Sequence, residues 1–444
     1  MTSHELGVDR ASARNLHTRS ERICVVGLGY VGLPLAVRFS ERGHDVLGFD
    51  VDETHVETLE NGVDTNGDLG DDTIADCDVT FTTDAPAFGH ADYVFVTVPT
   101  PLDEDRRPDL QALVAAGETV GEAMEPGTTV VLESTVYPGA TREAFVPALE
   151  RGGLACGDGF DVAYSPERAS PGEAAHDLTD TIKVVGADRP EVREDVADLY
   201  ETVVDVGVHE APSIEVAEAA KVVENAQRDV NIALMNELAV AFDRLDVETS
   251  AVLEAAATKW NFHEYRPGLV GGHCIPVDPH YLIRKAEREG FTPELLQAGR
   301  EVNESMPDHV ADIVVRGLND CGKVLRDSSV LVLGLSYKPN VGDVRTSKVR
   351  EVGETLSEYG IDLAGYDPHV PTSTARETFG FEVLSDLSTE GFDAVLLATP
   401  HDEFLRLNLD VLVAQLADDP LLVDVDGALS ADEPTDHGFT YRQL

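Results

Sequence analysis

Ile23-Cys24-Val25-Val26-Gly27-Leu28-Gly29-Tyr30-Val31-Gly32-Leu33 decides the fold class of this chain. A short apolar run rich in valine and ending in glycine reads as a strand buried on both faces. Gly27, Gly29 and Gly32 follow at once, and Leu33–Arg42 then carries apolar residues at helical spacing. Strand, glycine turn and helix make the arrangement in which amides at a helix N-terminus receive a pyrophosphate. A bare G-x-G-x-x-G is often only a tight turn. Here the context is complete, because Asp45–Asp50 reads as a second strand ending in an acid 21 residues beyond Gly29. The Asp50 carboxylate can accept a hydrogen bond from a ribose hydroxyl and would repel a 2′-phosphate, so NAD is expected over NADP. The candidate cofactor residues here are Gly27, Leu28, Gly29, Tyr30, Val31, Gly32 and Asp50.

Outward from this unit the strand–helix alternation continues. Tyr93–Val98, Thr129–Leu132 and Phe160–Tyr164 are short apolar runs, the rhythm of a parallel sheet covered by helices. Thr100, just past Val96-Thr97-Val98-Pro99, falls at the C-terminal edge of such a sheet, where ligands gather. Around Ser213–Leu245 the pattern becomes one long helical stretch, with Ser213 as N-cap and Val216, Ala220, Val223 and Ala226 along one side. Such a helix either pairs with a twin or bridges two domains, and a homodimer or higher homo-oligomer is expected.

From Ser328 the opening pattern repeats. Val330–Tyr337 echoes Ile23–Tyr30, Gly365-Tyr366-Asp367 echoes Gly48-Phe49-Asp50, and Ala394–Pro400 echoes Tyr93–Pro99. The expected fold class is α/β, with two Rossmann-like parallel-sheet domains joined by a central helical domain. The expected boundaries are a disordered tail over 1–20, a first domain over 21–207, a central domain over 208–322 and a last domain over 323–444. Ser336 stands where the first copy has Gly29, which removes the close approach a pyrophosphate needs, so one dinucleotide site is expected rather than two.

Composition narrows the function. The 444 residues hold 83 acidic and 33 basic side chains, a formal charge of -50, and only 7 of the basic residues are lysine. Such a surface repels phosphate backbones and anionic lipid, so neither nucleic acid nor membrane is an expected partner. It suits molar salt, where the Debye length is roughly 3 Å; a merely acidic protein of ordinary salt is the plainer reading. Five scattered cysteines without a C-x-x-C pair fit a reducing cytoplasm, and no metal site is expected. No apolar run approaches membrane-spanning length, and residues 1–20 lack the hydrophobic segment of a signal peptide.

Cys24, Cys156 and Cys321 read as small buried apolar residues, and Cys77 lies between Asp76 and Asp78, which disfavour a thiolate. Cys274 differs. In Gly271-Gly272-His273-Cys274-Ile275-Pro276-Val277-Asp278 the glycines let the backbone approach a ligand, and Pro276 and Pro279 suggest a turn opening a helix. A helix N-terminus favours the thiolate, which can hold an oxidised carbon covalently through a second chemical step. Asp278, one turn on, can steer water or a proton. Lys221 and Asn225, four apart, project from one face of an Ala- and Val-rich stretch, placed to stabilise an oxyanion. A lysine reaching along the helix to solvent is the plainer reading.

These motifs stand in a family's order with Glu133-Ser134-Thr135-Val136-Tyr137-Pro138-Gly139, Tyr164-Ser165-Pro166-Glu167-Arg168, Ala220–Asn225 and Gly334–Arg345. From residue 22 to about 430 the chain resembles the UDP-glucose/GDP-mannose dehydrogenase superfamily, the nucleotide-sugar 6-dehydrogenases. The resemblance implies an NAD-dependent four-electron oxidation of a UDP-sugar at C6, through a thiohemiacetal and a thioester on Cys274. It implies that Lys221 and Asn225 bind the oxyanion and substrate, and that Asp278 assists water or proton transfer. Glu167 would serve the acid–base steps of thioester hydrolysis and bind substrate, and Thr135 would hold a catalytic water or the nicotinamide side. Lys338 would contact substrate, Arg345 the cofactor, and the last domain the uridine.

Lys259-Trp260-Asn261-Phe262 and Tyr265-Arg266-Pro267-Gly268-Leu269-Val270 resemble the branch acting on UDP-N-acetylhexosamines, which adds Tyr265, Arg266 and Gly271 to the substrate-binding set. UDP-N-acetylglucosamine is favoured, with the mannosamine and galactosamine epimers and UDP-glucose as alternatives. One departure stands out: Pro171 replaces the second glutamate that members often carry four residues after the first, and Glu173 is displaced. Two further alternatives are a two-electron 3-hydroxyacid-type dehydrogenase, which needs no Cys274, and a non-catalytic NAD-binding regulator.

Overall fold

The computed structural model describes residues 21–67, 69–168 and 178–444. The expected tail over 1–20 and the departure at Pro171 and Glu173 lie outside the described residues. The chain divides into two compact units, Met1–Val222 and Val223–Leu444.

The first unit is built on β1 (Arg22–Val26), β2 (Asp45–Phe49), β3 (Val79–Thr82), β4 (Tyr93–Val96), β5 (Thr129–Leu132), β6 (Asp161–Tyr164), β7 (Lys183–Ala187) and β8 (Val208–Ala211). Their order in the sheet is β3-β2-β1-β4-β5-β6-β7-β8, with β7 antiparallel to β6 and the other pairs parallel. Central strands are apolar throughout because both faces are covered. Val25, Phe95 and Val131 pack with Leu33 and Phe39 on one side, while Cys24, Val94 and Val130 pack with Leu113 and Phe145 on the other. β8, just past the expected boundary at 207, pairs with β7 as the last strand of this sheet. Val208-His209-Glu210-Ala211 sets two polar residues side by side, so no strand pattern marks it in the sequence.

The helix Ile214–Leu245 runs across the division between the units. Ser213 caps it, accepting the Val216 amide at 3.3 Å. In the second unit the helices Asp278–Arg288 and Glu294–Asp320 precede a sheet of β9 (Ser329–Leu333), β10 (Asp362–Tyr366), β11 (Glu382–Val383), β12 (Ala394–Leu397), β13 (Leu421–Asp424) and β14 (Thr440–Gln443). The order β11-β10-β9-β12-β13-β14 repeats the first six positions of the other sheet, with every pair parallel. Met306, Val310, Val314 and Leu318 of the helix Glu294–Asp320 fill one face of its core. The duplication extends to single bonds. The Leu28 amide donates to Asp50 Oδ2 at 2.8 Å, and the Leu335 amide donates to Asp367 Oδ2 at 2.8 Å.

Candidate active site

In the first unit the fingerprint forms the turn after β1. Gly27 has φ +92°, a left-handed conformation that favours glycine, and a Cβ on Gly32 would collide with the Gly27 carbonyl and Thr97 Oγ1. A Cβ on Gly29 would meet open space, the room a pyrophosphate needs at the start of the helix Gly32–Glu41. Asp50 holds the Leu28 amide on one oxygen and the Asp52 amide on the other. Each oxygen keeps lone-pair capacity for a ribose hydroxyl, so the residues present fit a dinucleotide.

Hydroxyls stitch together three loops at the same sheet edge. Thr97 Oγ1 donates to the Gly27 carbonyl, Ser134 Oγ to the Val98 carbonyl and Thr100 Oγ1 to the Thr135 carbonyl, each at 2.7 Å. Thr100 and Thr135, far apart in the chain, are thereby neighbours. The Glu218 carboxylate on the long helix accepts the amides of Gly139 at 2.5 Å and Thr141 at 2.9 Å and the Thr141 hydroxyl at 2.6 Å. Burial pushes its carboxyl up, and these three bonds offset part of that rise. The loop bearing Thr135 is thus anchored one turn from Lys221, itself buried on the same helix.

Glu167 follows β6, its Oε1 accepting the Arg168 amide at 2.6 Å and its Oε2 lying 3.1 Å from Lys183 Nζ. Sequence reasoning missed Lys183, Glu133, Tyr200 and Glu218. A signal did exist: Lys183 is one of seven lysines and opens an otherwise apolar strand, Lys183-Val184-Val185-Gly186-Ala187.

In the second unit Cys274 is an exposed thiol just ahead of the helix Asp278–Arg288. Its carbonyl accepts the Val277 and Asp278 amides at 3.1 and 2.8 Å. Asp278 is buried and accepts Asn225 Nδ2 at 2.5 Å, which joins two expected site residues from distant parts of the chain. The Gly271-Gly272 pair has a packing reason as well. A Cβ on Gly271 would lie 2.9 Å from the Thr346 carbonyl and from Tyr337 Cβ, and one on Gly272 (φ +87°) would lie 2.9 Å from the Tyr337 ring. The Gly272 amide donates to Thr346 Oγ1 at 2.8 Å.

The cysteine loop is therefore seated on the segment that carries Lys338 and Arg345. His273 Nε2 stands 3.3 Å from Asp343 Oδ2, to which Arg345 Nη2 donates at 2.8 Å. Burial opposes ionisation of Asp343, but these bonds win and hold its carboxyl well below the usual range. Arg345 is exposed and Lys338 half-buried. Tyr265 OH accepts Gln227 Nε2 at 2.7 Å, while Arg266 is exposed.

The second copy of the fingerprint is filled from within. Asp367 is buried and accepts the amides of Leu335, Ser336 and His369 together with His401 Nε2 at 2.9 Å. His401 Nδ1 accepts the Asn340 amide at 2.8 Å, which assigns the ring proton to Nε2 and ties down the Lys338–Arg345 segment.

Residues 21–204, 215–305 and 331–431 match, in that order, the NAD binding, central and UDP binding domains of the UDP-glucose/GDP-mannose dehydrogenase family. The chain belongs to that family. It is 45% identical over 415 residues to Protein CapL of Staphylococcus aureus, covering 93% of this chain and 97% of that one. It is 40% identical over 414 residues to the UDP-N-acetyl-D-glucosamine 6-dehydrogenase of Salmonella typhi, again covering 93% and 97%. The solved UDP-D-ManNAc dehydrogenase of Pyrococcus horikoshii matches with a TM-score of 0.85 at 30% identity, covering 95% of this chain and 99% of that one. This member of the nucleotide-sugar 6-dehydrogenase family accordingly uses NAD, and its cofactor domain carries the Gly27–Gly32 turn.

Proposed function

We propose that the enzyme oxidises the C6 hydroxymethyl of a UDP-N-acetylhexosamine, UDP-N-acetylglucosamine foremost, to the uronate. The observation that carries this reading is the exposed Cys274 set directly before the buried Asn225–Asp278 pair. NAD, when bound, supplies the hydride acceptor for both oxidations. The alcohol loses a hydride and a proton to become an aldehyde, whose developing charge Lys221 and Asn225 stabilise. Aldehyde alone has no second hydride to give until a nucleophile adds. Cys274 Sγ adds to the carbon, and the thiohemiacetal loses a second hydride and a proton to become a thioester. Water, its proton taken by Glu167 or steered by Asp278, releases the acid and frees the thiol. The sum is one alcohol, two NAD and one water giving a carboxylate, two NADH and three protons. Tyr265, Arg266, Gly271 and Lys338 would hold the UDP-sugar, with Thr100, Thr135 and Arg345 on the cofactor side.

The preferred sugar rests on likeness: the relative named for UDP-N-acetyl-D-glucosamine is 40% identical and the structure named for UDP-D-ManNAc 30%. A panel of UDP-sugars assayed for NADH in molar salt tests it. Two NADH per UDP-N-acetylglucosamine and complete loss of acid formation in Cys274→Ala are expected. One NADH per sugar, or a Cys274→Ala enzyme that still makes the uronate, would end the reading.

The same proposal places the enzyme in a salt-rich, reducing cytoplasm, as a homodimer or higher homo-oligomer. In support, Val216, Val223, Leu234 and Leu245 are exposed along one stripe of the long helix, the kind of face a second copy covers.

A further inference from the structure

We propose that Lys183 is a positioning residue that holds the Glu167 carboxylate ionised and aimed at the attacking water without itself touching substrate. This rests on the reading of Glu167 given above. Lys183 opens β7 with its side chain only 1% exposed, and its ammonium has three donors. They meet Glu133 Oε2 at 2.7 Å, Glu167 Oε2 at 3.1 Å and the Pro166 carbonyl at 3.4 Å. The other oxygen of Glu133 accepts the Tyr200 hydroxyl, and the Tyr200 ring lies 5.0 Å from Nζ. The cation is therefore enclosed on its deep side by a fully buried carboxylate and a ring.

Its remaining charge falls on Glu167, the less buried of the two carboxylates, with a side chain 17% exposed against 0% for Glu133. Together with the Arg168 amide on Oε1, the ammonium fixes both oxygens of that carboxylate. Burial alone would lower the pKa of Lys183, but Glu133 and Glu167 raise it above the ordinary lysine value. Burial likewise pushes the Glu133 carboxyl up, against the pull of Lys183.

A purely structural role accounts for this group poorly. Apolar residues can often replace a buried ion pair without loss of stability, and this chain uses lysine sparingly. An ammonium beside a carboxylate favours its charged form, which is the form that takes a proton from water. In the step so assisted, a water proton moves to Glu167, the hydroxyl bonds to the thioester carbon, the C–S bond breaks and Cys274 leaves as thiolate.

The test uses the full-length enzyme with UDP-N-acetylglucosamine and NAD in molar salt. Lys183→Met strands a buried Glu133, so the Glu133→Gln/Lys183→Met double variant, which removes both charges, is made beside it. In the folded double variant, single-turnover NADH formation should persist while acid release falls roughly a hundred-fold. The KM values should hold, and the acid limb of the kcat profile should move to higher pH. Unchanged acid release with an unchanged pH profile would overturn the proposal. Glu167→Gln separates the two readings. If it releases acid at the wild-type rate, the role of Glu167 falls and this one with it. If it is slow while the double variant is not, only the role of Lys183 falls.

Discussion

Asp426 follows β13 beside Asp424, and burial pushes its carboxyl up to about 7, with repulsion from Asp424 adding to the rise. An unfolded aspartate titrates near 3.9, so between about pH 4 and 7 the folded chain binds the extra proton. The stability this group contributes is full below that interval and is lost as pH rises through it. Asp426→Asn has no such proton to lose. Its melting temperature relative to the wild type should climb from about pH 4 to about pH 7 and then level off. A constant difference across that range would contradict the assignment. At this scale some of the site was legible and some was not. The glycines at 271 and 272 announce a close approach, yet the approaching group includes Tyr337, which no local pattern could name.

The part of the long helix Ile214–Leu245 that lies in the second unit is held there by polar bonds. Asn236, fully buried, accepts the Gly268 amide at 2.8 Å, donates to the Gly268 carbonyl at 3.1 Å and to Asn303 Oδ1 at 2.8 Å. Asn303 in turn donates to Asp229 Oδ1 at 2.7 Å, and Arg300 donates to the same oxygen at 2.5 Å. Asn236→Leu leaves the Gly268 amide and the Asn303 carbonyl oxygen without their partner, at a cost of about 1–3 kcal/mol. A denaturation midpoint in molar salt should fall accordingly, and exchange of the Gly268 amide should quicken. An unmoved midpoint would show that the network is dispensable.

Among elements, β1, β4, β5, β9 and β12 were legible because burial on both faces demands an unbroken apolar run. The strands β7 and β8 were not. One opens with a lysine whose charge is met by Glu133 and Glu167, from the segments after β5 and β6, and the other, at the sheet's edge, sets His209 beside Glu210 and shows no strand pattern.

For the molecule as a whole the formal charge of -50 governs behaviour. Like charges across an acidic surface repel over a Debye length of roughly 10 Å at 0.1 M salt and roughly 3 Å at 1 M. Dilution from molar to low salt should therefore unfold the enzyme, followed by far-ultraviolet circular dichroism and by loss of NADH production. Retention of full structure in low salt would refute the proposal of a salt-rich setting.

Sequence alone determined the features that are local in the chain. These are the glycine turn between β1 and its helix, the acid just past β2, the cap of the long helix, the echo of one sheet in the other, and the order of motifs that marks the family. Each depends on residues a few positions apart, so composition and spacing express it directly. Tertiary structure alone decided who meets whom. Lys183 finds Glu133 50 residues away, Asn225 finds Asp278 53 away, and His401 finds Asp367 34 away. Periodicity reports which side chains leave water, but a buried charge is satisfied by whichever strand the fold brings alongside, and that partner leaves no trace in its neighbours along the chain.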